Sequence, residues 1–345
     1  MKILLIKLGA LGDVLRTTPL LEGLRKKYPN CEITWLVDGR HRGVLDGNPL
    51  ISRLVSLEAG EGGWANVSYD LVINLDKEPE ALEAFTAARG AHKRGFGADK
   101  QGSLCAADAS SDYAFRLGVD DELKFKLNQK TYQEICFEQV DLHFEKEEYR
   151  FSLSARQSAL AEEALTARGW QPKKGARVVG VNTGSGARFA GKRLPVESYK
   201  SLVEKLANGL GATVFLLGGQ DEVERNAWIK KNAAAPVIDT GSHPIHVFAG
   251  IVRTCDLVIT GDTTALHIAV AVRTPVLAYF ASTCAQEIEL YGRGRKIVSG
   301  IECSPCYKRV CPIDEQCMKD MRVDELVRQA DEMLRKSTHD KIRLS

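Results

Sequence analysis

The chain has 345 residues, 27% of them charged and 44% hydrophobic, with 47 basic against 45 acidic side chains and a formal net charge of +2. That composition describes a folded globular protein, and its length exceeds what one core ordinarily sustains, so two domains are expected. A balance so near neutrality excludes a broad nucleic-acid surface, and no segment nears the roughly 20 uninterrupted apolar residues that span a bilayer.

The opening run, Met1-Lys2-Ile3-Leu4-Leu5-Ile6-Lys7-Leu8-Gly9-Ala10-Leu11-Gly12-Asp13, predicts a strand over Lys2–Leu8 and a helix over Val14–Lys27, joined by a glycine turn. Lysines within that strand and the lack of a small-residue cleavage site argue against a signal peptide. A cytoplasmic protein with only peripheral membrane contact is expected. Glycines at a strand-to-helix turn admit a ligand close to the backbone, and amides at a helix start favour anions. Asp13 then stands at the carboxyl end of the first strand, either facing a ligand or capping the helix. The spacing G-x-x-G-D is not the dinucleotide fingerprint G-x-G-x-x-G.

Glu32–Val37 and Leu71–Leu75 read as further strands and Glu80–Ala88 as a helix, an alternation that implies a parallel sheet. Residues 97–148 lose the period and read as helices and long loops. Ser154 caps a predicted helix over Ser154–Arg168, and Gly169-Trp170-Gln171-Pro172-Lys173-Lys174-Gly175 reads as an interdomain linker. The expected domains are 1–168 and 169–345. In the second, strands are predicted over Arg177–Val181, Thr213–Leu217, Leu257–Thr260 and Pro275–Tyr279. Helices are predicted between them over Val196–Gly209, Glu222–Asn232 and Ala265–Val272.

Three turns of this second half each follow a strand. Asn182-Thr183-Gly184-Ser185-Gly186, with Lys192-Arg193-Leu194-Pro195 after it, offers hydroxyls, amides and two cations suited to a diphosphate, or else a solvated loop. Gly218-Gly219-Gln220-Asp221-Glu222 could accept ribose hydroxyls or cap a helix. Thr260-Gly261-Asp262-Thr263-Thr264-Ala265-Leu266-His267 is the strongest phosphate cradle, because its donors converge on one helix N-terminus. His267 is read either as part of that site or as a packing histidine. Two such sheets facing one another, a nucleotide on the second and Asp13 on the first, make a two-Rossmann nucleotide-sugar transferase. No D-x-D triplet is present, so Lys192, Arg193 and amides, rather than a metal, are expected to neutralise the diphosphate.

Nine cysteines are expected to be mostly reduced in the cytoplasm. Cys31, Cys105, Cys136, Cys255 and Cys284 read as small buried residues. Cys303, Cys306, Cys311 and Cys317 form C-x2-C-x4-C-x5-C, either a tetrahedral site for structural zinc or iron, or thiols left reduced or partly disulfide-bonded.

The chain resembles the family 9 glycosyltransferases, the ADP-heptose:lipopolysaccharide heptosyltransferases. The resemblance rests on Gly9-x-x-Gly12-Asp13-Val14-Leu15-x-Thr17-x-Pro19, on Lys192-Arg193-Leu194-Pro195, and on Asp262-Thr263 with His267. Glu287-Ile288-Glu289-Leu290-Tyr291-Gly292 and the cysteine cluster add to it. It implies a GT-B fold, two Rossmann-like doubly wound domains facing across a cleft, with the acceptor on the N-terminal and the donor on the C-terminal domain. It further implies inverting transfer of heptose from ADP-heptose to an anionic inner-core acceptor of lipid A–Kdo type at the inner membrane, with no cofactor or catalytic metal. Asp13 becomes the general base, with Gly12 and Arg16 on the acceptor. Thr183, Ser185, Lys192, Asp262, Thr263 and Thr264 fall on the diphosphate, Glu222 on the ribose and His267 in the donor site.

Arg40, His41, Arg42, Arg94 and Lys100 are further candidates for anionic acceptor groups. Two departures from the family pattern, Thr264 for glycine and Leu194 for tryptophan, touch the identity of the sugar. Three other readings stay open: a related transferase using another nucleotide sugar or acceptor, a GT-B nucleotide-sugar epimerase, and a non-catalytic nucleotide-binding module. No nucleic-acid partner is expected, and the sequence does not fix an oligomeric state.

Overall fold

The computed structural model describes residues 1–58, 62–185 and 191–343, with side chains as far as Lys336; Gly186 of the first donor turn lies outside the described residues. The chain forms two units. Unit 1 comprises Met1–Ser152 with Gln286–Glu289, and unit 2 comprises Leu153–Ala285 with Leu290–Ser345.

Unit 1 runs β1 (Lys2–Ile6), α1 (Leu11–Thr17), α2 (Pro19–Lys27), β2 (Glu32–Val37), β3 (Arg53–Ser56), β4 (Ser68–Asn74), α3 (Pro79–Ala87), β5 (Arg89–Ala98), β6 (Leu104–Ala106), α4 (Asp112–Arg116) and α5 (Tyr132–Glu138). Its six strands lie in the order β3-β2-β1-β4-β5-β6. All neighbours are parallel except β5 and β6. The helix expected over Val14–Lys27 starts earlier and is broken. Pro19 has no N–H to donate to Leu15, whose carbonyl instead accepts the Thr18 hydroxyl at 2.7 Å, so α2 begins anew at the proline. β5 escaped the sequence reading because its residues RGAHKRGFGA lack apolar alternation, and only its Gly95–Gly97 stretch is buried. Its Gly95, at φ +96°, lies so close to the Asn74 carbonyl that no side chain fits there.

Unit 2 runs α6 (Ala155–Ala167), β7 (Val178–Asn182), α7 (Val196–Glu204), β8 (Thr213–Leu217), α8 (Val223–Asn232), β9 (Val237–Asp239), α9 (Ile245–Thr254), β10 (Leu257–Gly261), α10 (Thr264–Ala271), β11 (Val276–Phe280), β12 (Gly294–Val298), α11 (Gln316–Lys319) and α12 (Val323–Arg343). Its sheet, β12-β11-β10-β7-β8-β9, is parallel throughout. Both units therefore share the doubly wound strand order, which reverses between β1 and β4 in unit 1 and between β7 and β10 in unit 2. Strands buried on both faces, such as VVGVN of β7 and VLAYF of β11, read as continuous apolar runs for this reason.

The expected boundary at 168 moves to 152. Helix α6 belongs to unit 2, where the backbone of Gly250 in α9 lies against Ala161; a Cβ there would sit 2.5 Å from the Ala161 methyl. Arg253 of α9 also donates to the Ser158 hydroxyl at 2.7 Å. The glycine- and proline-bearing stretch 169–175 consequently lies inside unit 2, and its Trp170 ring meets Phe215 of β8 edge-on at 5.6 Å. Gly250→Val should overpack the α6–α9 contact and cost about 1–3 kcal/mol. Urea denaturation checks this: a midpoint equal to the wild type's would show that α6 does not depend on this close approach.

Candidate active site

At the reversal of the unit 1 sheet, Asp76 follows β4 and turns its carboxylate under the Gly9 turn. Its Oδ2 accepts the amides of Leu8 at 3.0 Å and Gly9 at 3.2 Å and lies 3.4 Å from the Lys7 ammonium. Both side chains of that ion pair are under a tenth exposed. Gly9 is needed because the His41 ring, bonded to the Leu8 carbonyl at 2.9 Å, occupies the space a Cβ would take.

Gly12 and Asp13 lie in the first turn of α1. Asp13 is the third helical residue and not the N-cap, a place taken by Ala10; its Oδ2 reaches back to the Ala10 amide at 3.4 Å. Its Oδ1 meets Arg16 Nη2 at 2.9 Å, and Asp13 keeps a third of its side chain exposed. Arg16 in turn stacks on Tyr132 of α5, its guanidinium carbon 3.8 Å from the ring centre. The Tyr132 hydroxyl meets Thr17 Oγ1 at 2.8 Å, and Gln133 donates to the Arg16 carbonyl at 3.0 Å. Burial pushes the Tyr132 phenol well above its ordinary range. The Asp13–Arg16 pair is thus held from behind by α5.

The other cations proposed for the acceptor make local bonds. Arg40 pairs with Asp38, Arg42 with Asp46, and Arg94 with Asp108 and Asp141. Lys100 is exposed in the turn after β5.

At the reversal of the unit 2 sheet, Asn182 ends β7. Its amide donates to the Gly184 carbonyl at 2.9 Å and lies 3.2 and 3.3 Å from the hydroxyls of Thr260 and Thr263. Thr263 caps α10 by accepting the Ala265 amide at 3.2 Å, and Thr264 opens that helix on its exposed side. Lys192 Nζ stands 3.2 Å from Asp262 Oδ2, and buried His267 lies with Nε2 3.8 Å from the other carboxylate oxygen. Thr183 is buried and donates to Asn226 at 2.5 Å, and Ser185 ends the described part of its turn. The residues expected around the diphosphate therefore gather at one switch point. Glu222 stands beside them, its Oε2 accepting the Gly219 amide at 2.8 Å and its stem packed against Gly184.

Sequence reasoning missed Asp76 and Lys77, and placed Asn182 in its turn without seeing that its amide ties that turn to Thr260 and Thr263. A polar residue directly after an apolar strand was the available signal, read at Asp13 and Asp262 but not at Asn74-Leu75-Asp76-Lys77. Lys77 is open to solvent yet ringed by protein, 4.6 Å above Phe96, and loss of hydration with help from the Lys124 charge pushes its ammonium down to about 8.

Of the two readings of the clustered cysteines, a tetrahedral metal set or free thiols, the described residues do not form the first. Among the described residues no group of three or more His, Cys, Asp or Glu side chains could hold a metal ion. Cys303 is exposed on an irregular loop, whereas Cys317 is buried in the unit 2 core, and none of the four is in a disulfide.

Twin doubly wound units, one gathering hydroxyls and a helix N-terminus at its switch point and the other a partly exposed carboxylate, have the GT-B fold of glycosyltransferases. A sequence model of glycosyltransferase family 9 (heptosyltransferase) matches residues 65–316, and the chain belongs to that family. It is 25% identical over 313 residues to lipopolysaccharide heptosyltransferase 1 of Campylobacter coli, covering 82% of this chain and 84% of that protein. The family 9 glycosyltransferase of Veillonella parvula superposes with a TM-score of 0.76 at 18% identity, covering 97% of each chain. E. coli ADP-heptose lipopolysaccharide heptosyltransferase II superposes with a TM-score of 0.68 at 16% identity, over 98% of this chain and all of that one.

Because the folded state lowers the Lys77 pKa below its unfolded value near 10.5, the unfolded chain binds more protons between pH 8 and 10.5. Stability contributed by this group is thus present above pH 10.5 and lost as pH falls through about 8. Lys77→Met should flatten the rise of unfolding free energy across that window, measured by urea titration. An unchanged slope would show that the ammonium is as well solvated in the fold as outside it.

Proposed function

We propose that this glycosyltransferase moves heptose from ADP-heptose, with inversion and without a divalent cation, to an anionic inner-core acceptor of lipid A–Kdo type. The observation that carries the reading is the convergence of Lys192, the Asp262–Thr264 turn and the α10 N-terminus at the unit 2 switch point. Such a site offers an ammonium, hydroxyls and helix-start amides to a diphosphate. Its family relatives, named for lipopolysaccharide and lipooligosaccharide heptose transfer, support the choice of sugar and acceptor.

In this reading an acceptor hydroxyl attacks the anomeric carbon from the face opposite the diphosphate. The new C–O bond forms as the bond to the diphosphate oxygen breaks. The hydroxyl proton passes to the Asp13 carboxylate, and the departing electron pair stays on ADP. Arg16 holds Asp13 through Oδ1 and offers its own charge to an anionic acceptor. Lys192 and the α10 amides stabilise charge growing on the leaving oxygen, while Ser185 and Thr264 line the diphosphate site and Glu222 lies on the ribose side; Thr183, expected on the diphosphate, is instead buried and supports the turn from behind through Asn226. The described residues contain no helix long and apolar enough to cross a membrane. A lipid-linked acceptor, as the names of the family relatives suggest, would call for peripheral contact with the cytoplasmic face of the inner membrane.

Asp13→Asn preserves the size of the side chain and a partner for the Ala10 amide but removes the base. Turnover should fall by about 10²–10⁴-fold. ADP affinity should stay at the wild-type value, and stability should fall by no more than about 1 kcal/mol, the worth of a partly exposed ion pair with Arg16. Steady-state transfer assays with calorimetry and thermal unfolding separate these effects, and a fully active Asp13→Asn enzyme would falsify the mechanism.

A further inference from the structure

Behind the cradle, two tyrosines with no part in the contacts above join its two arms. Tyr199 of α7 and Tyr279 of β11 are fully buried, and their hydroxyls meet at 2.8 Å. The Tyr199 hydroxyl accepts the buried Leu194 amide at 3.2 Å, two residues after Lys192. The Tyr279 ring lies against Gly261, 3.1 Å from where a Cβ would stand. Gly261 in turn faces the Lys192 carbonyl so closely that any side chain would strike it. On the other flank, Ser282 donates to the Gly191 carbonyl at 3.3 Å. The backbone on either side of Lys192 is thereby fixed to the end of β11, and at Lys192 itself it lies against Gly261, the last residue of β10 before Asp262. Burial pushes both phenols upward, so they stay neutral and keep the bond between them.

We propose that Tyr199 and Tyr279 are positioning residues that hold the main chain from which Lys192 aims its ammonium at the donor diphosphate. The proposal rests on the reading of Lys192 as a diphosphate contact. Phenylalanine at position 199 keeps the ring packing but removes the acceptor of a buried amide, and the 191–194 segment relaxes to find another. An effect on donor binding should then vanish once the lysine is gone.

The test is a double-mutant cycle on ADP affinity by calorimetry, with wild type, Lys192→Ala, Tyr199→Phe and the double variant, each checked for its unfolding midpoint. Lys192→Ala should weaken ADP about ten-fold or more, the loss of a charge-assisted contact. Tyr199→Phe should weaken it about three- to ten-fold in the wild-type background and leave it unchanged in the Lys192→Ala background. Wild-type affinity in Tyr199→Phe, beside a weakened Lys192→Ala, overturns the positioning role alone. An equal loss in both backgrounds also overturns it, since the tyrosine would then act elsewhere. Wild-type affinity in Lys192→Ala overturns the diphosphate contact itself. Should Tyr199→Phe not fold, Tyr279→Phe leaves the Tyr199 hydroxyl on the Leu194 amide but removes its anchor on β11; a smaller loss, about two- to three-fold, that vanishes in the Lys192→Ala background supports the role, and wild-type affinity or an equal loss in both backgrounds overturns it.

Discussion

A buried polar side chain at the end of a central strand holds each of the two sites together. In unit 2 it is Asn182, whose amide group ties its own turn to the hydroxyls of Thr260 and Thr263. In unit 1 it is Asp76, whose carboxylate collects the Leu8 and Gly9 amides and the Lys7 ammonium. Parallel strands leave unpaired amides and carbonyls at their carboxyl ends, and where strand order reverses, two such ends diverge and open a crevice. Polar groups there must be satisfied or they cost about 1–3 kcal/mol each. One side chain meeting several of them fixes the crevice walls before any ligand arrives.

The charges follow from this frame. In the proposed donor site Lys192, held 3.2 Å from Asp262, gives the diphosphate a direct charge-assisted contact. The remaining attraction falls to the α10 N-terminus, whose amides and dipole favour negative charge without an ion to recruit. Unit 1 is arranged differently. Arg16 lies over the Tyr132 ring and reaches Asp13, so a cation and a carboxylate are offered side by side. Under the proposed mechanism a carboxylate that accepts a proton would share its neighbourhood with a negatively charged acceptor, and the stacked guanidinium would be the fixed cation between them.

Much of this was legible in the sequence where the pattern was strong. Glycine turns after apolar runs marked Asp13 and the Thr260–His267 turn, because a strand end, a helix start and a polar residue coincide there. The doubly wound class followed from the alternation of strands and helices. What could not be read depended on tertiary partners. β5 carries arginine, lysine and glycine in place of alternating apolar residues, since its pairing with β4 rather than its own pattern makes it a strand. Helix α6 looked like the end of the first domain until the close approach of Gly250 assigned it to the second. The cysteine spacing allowed a metal site, but spacing says nothing of direction, and Cys317 turns into the core beside Gly191 while Cys303 faces solvent.

Transfer itself is the most direct measure of the account. With ADP-heptose, a Kdo–lipid A acceptor and excess EDTA, the enzyme should release ADP and form a product whose heptose has the anomeric configuration opposite to that of the donor, read by NMR. Loss of transfer on chelation, or a product that retains the donor's configuration, would contradict a metal-free direct displacement by an acceptor hydroxyl activated at Asp13.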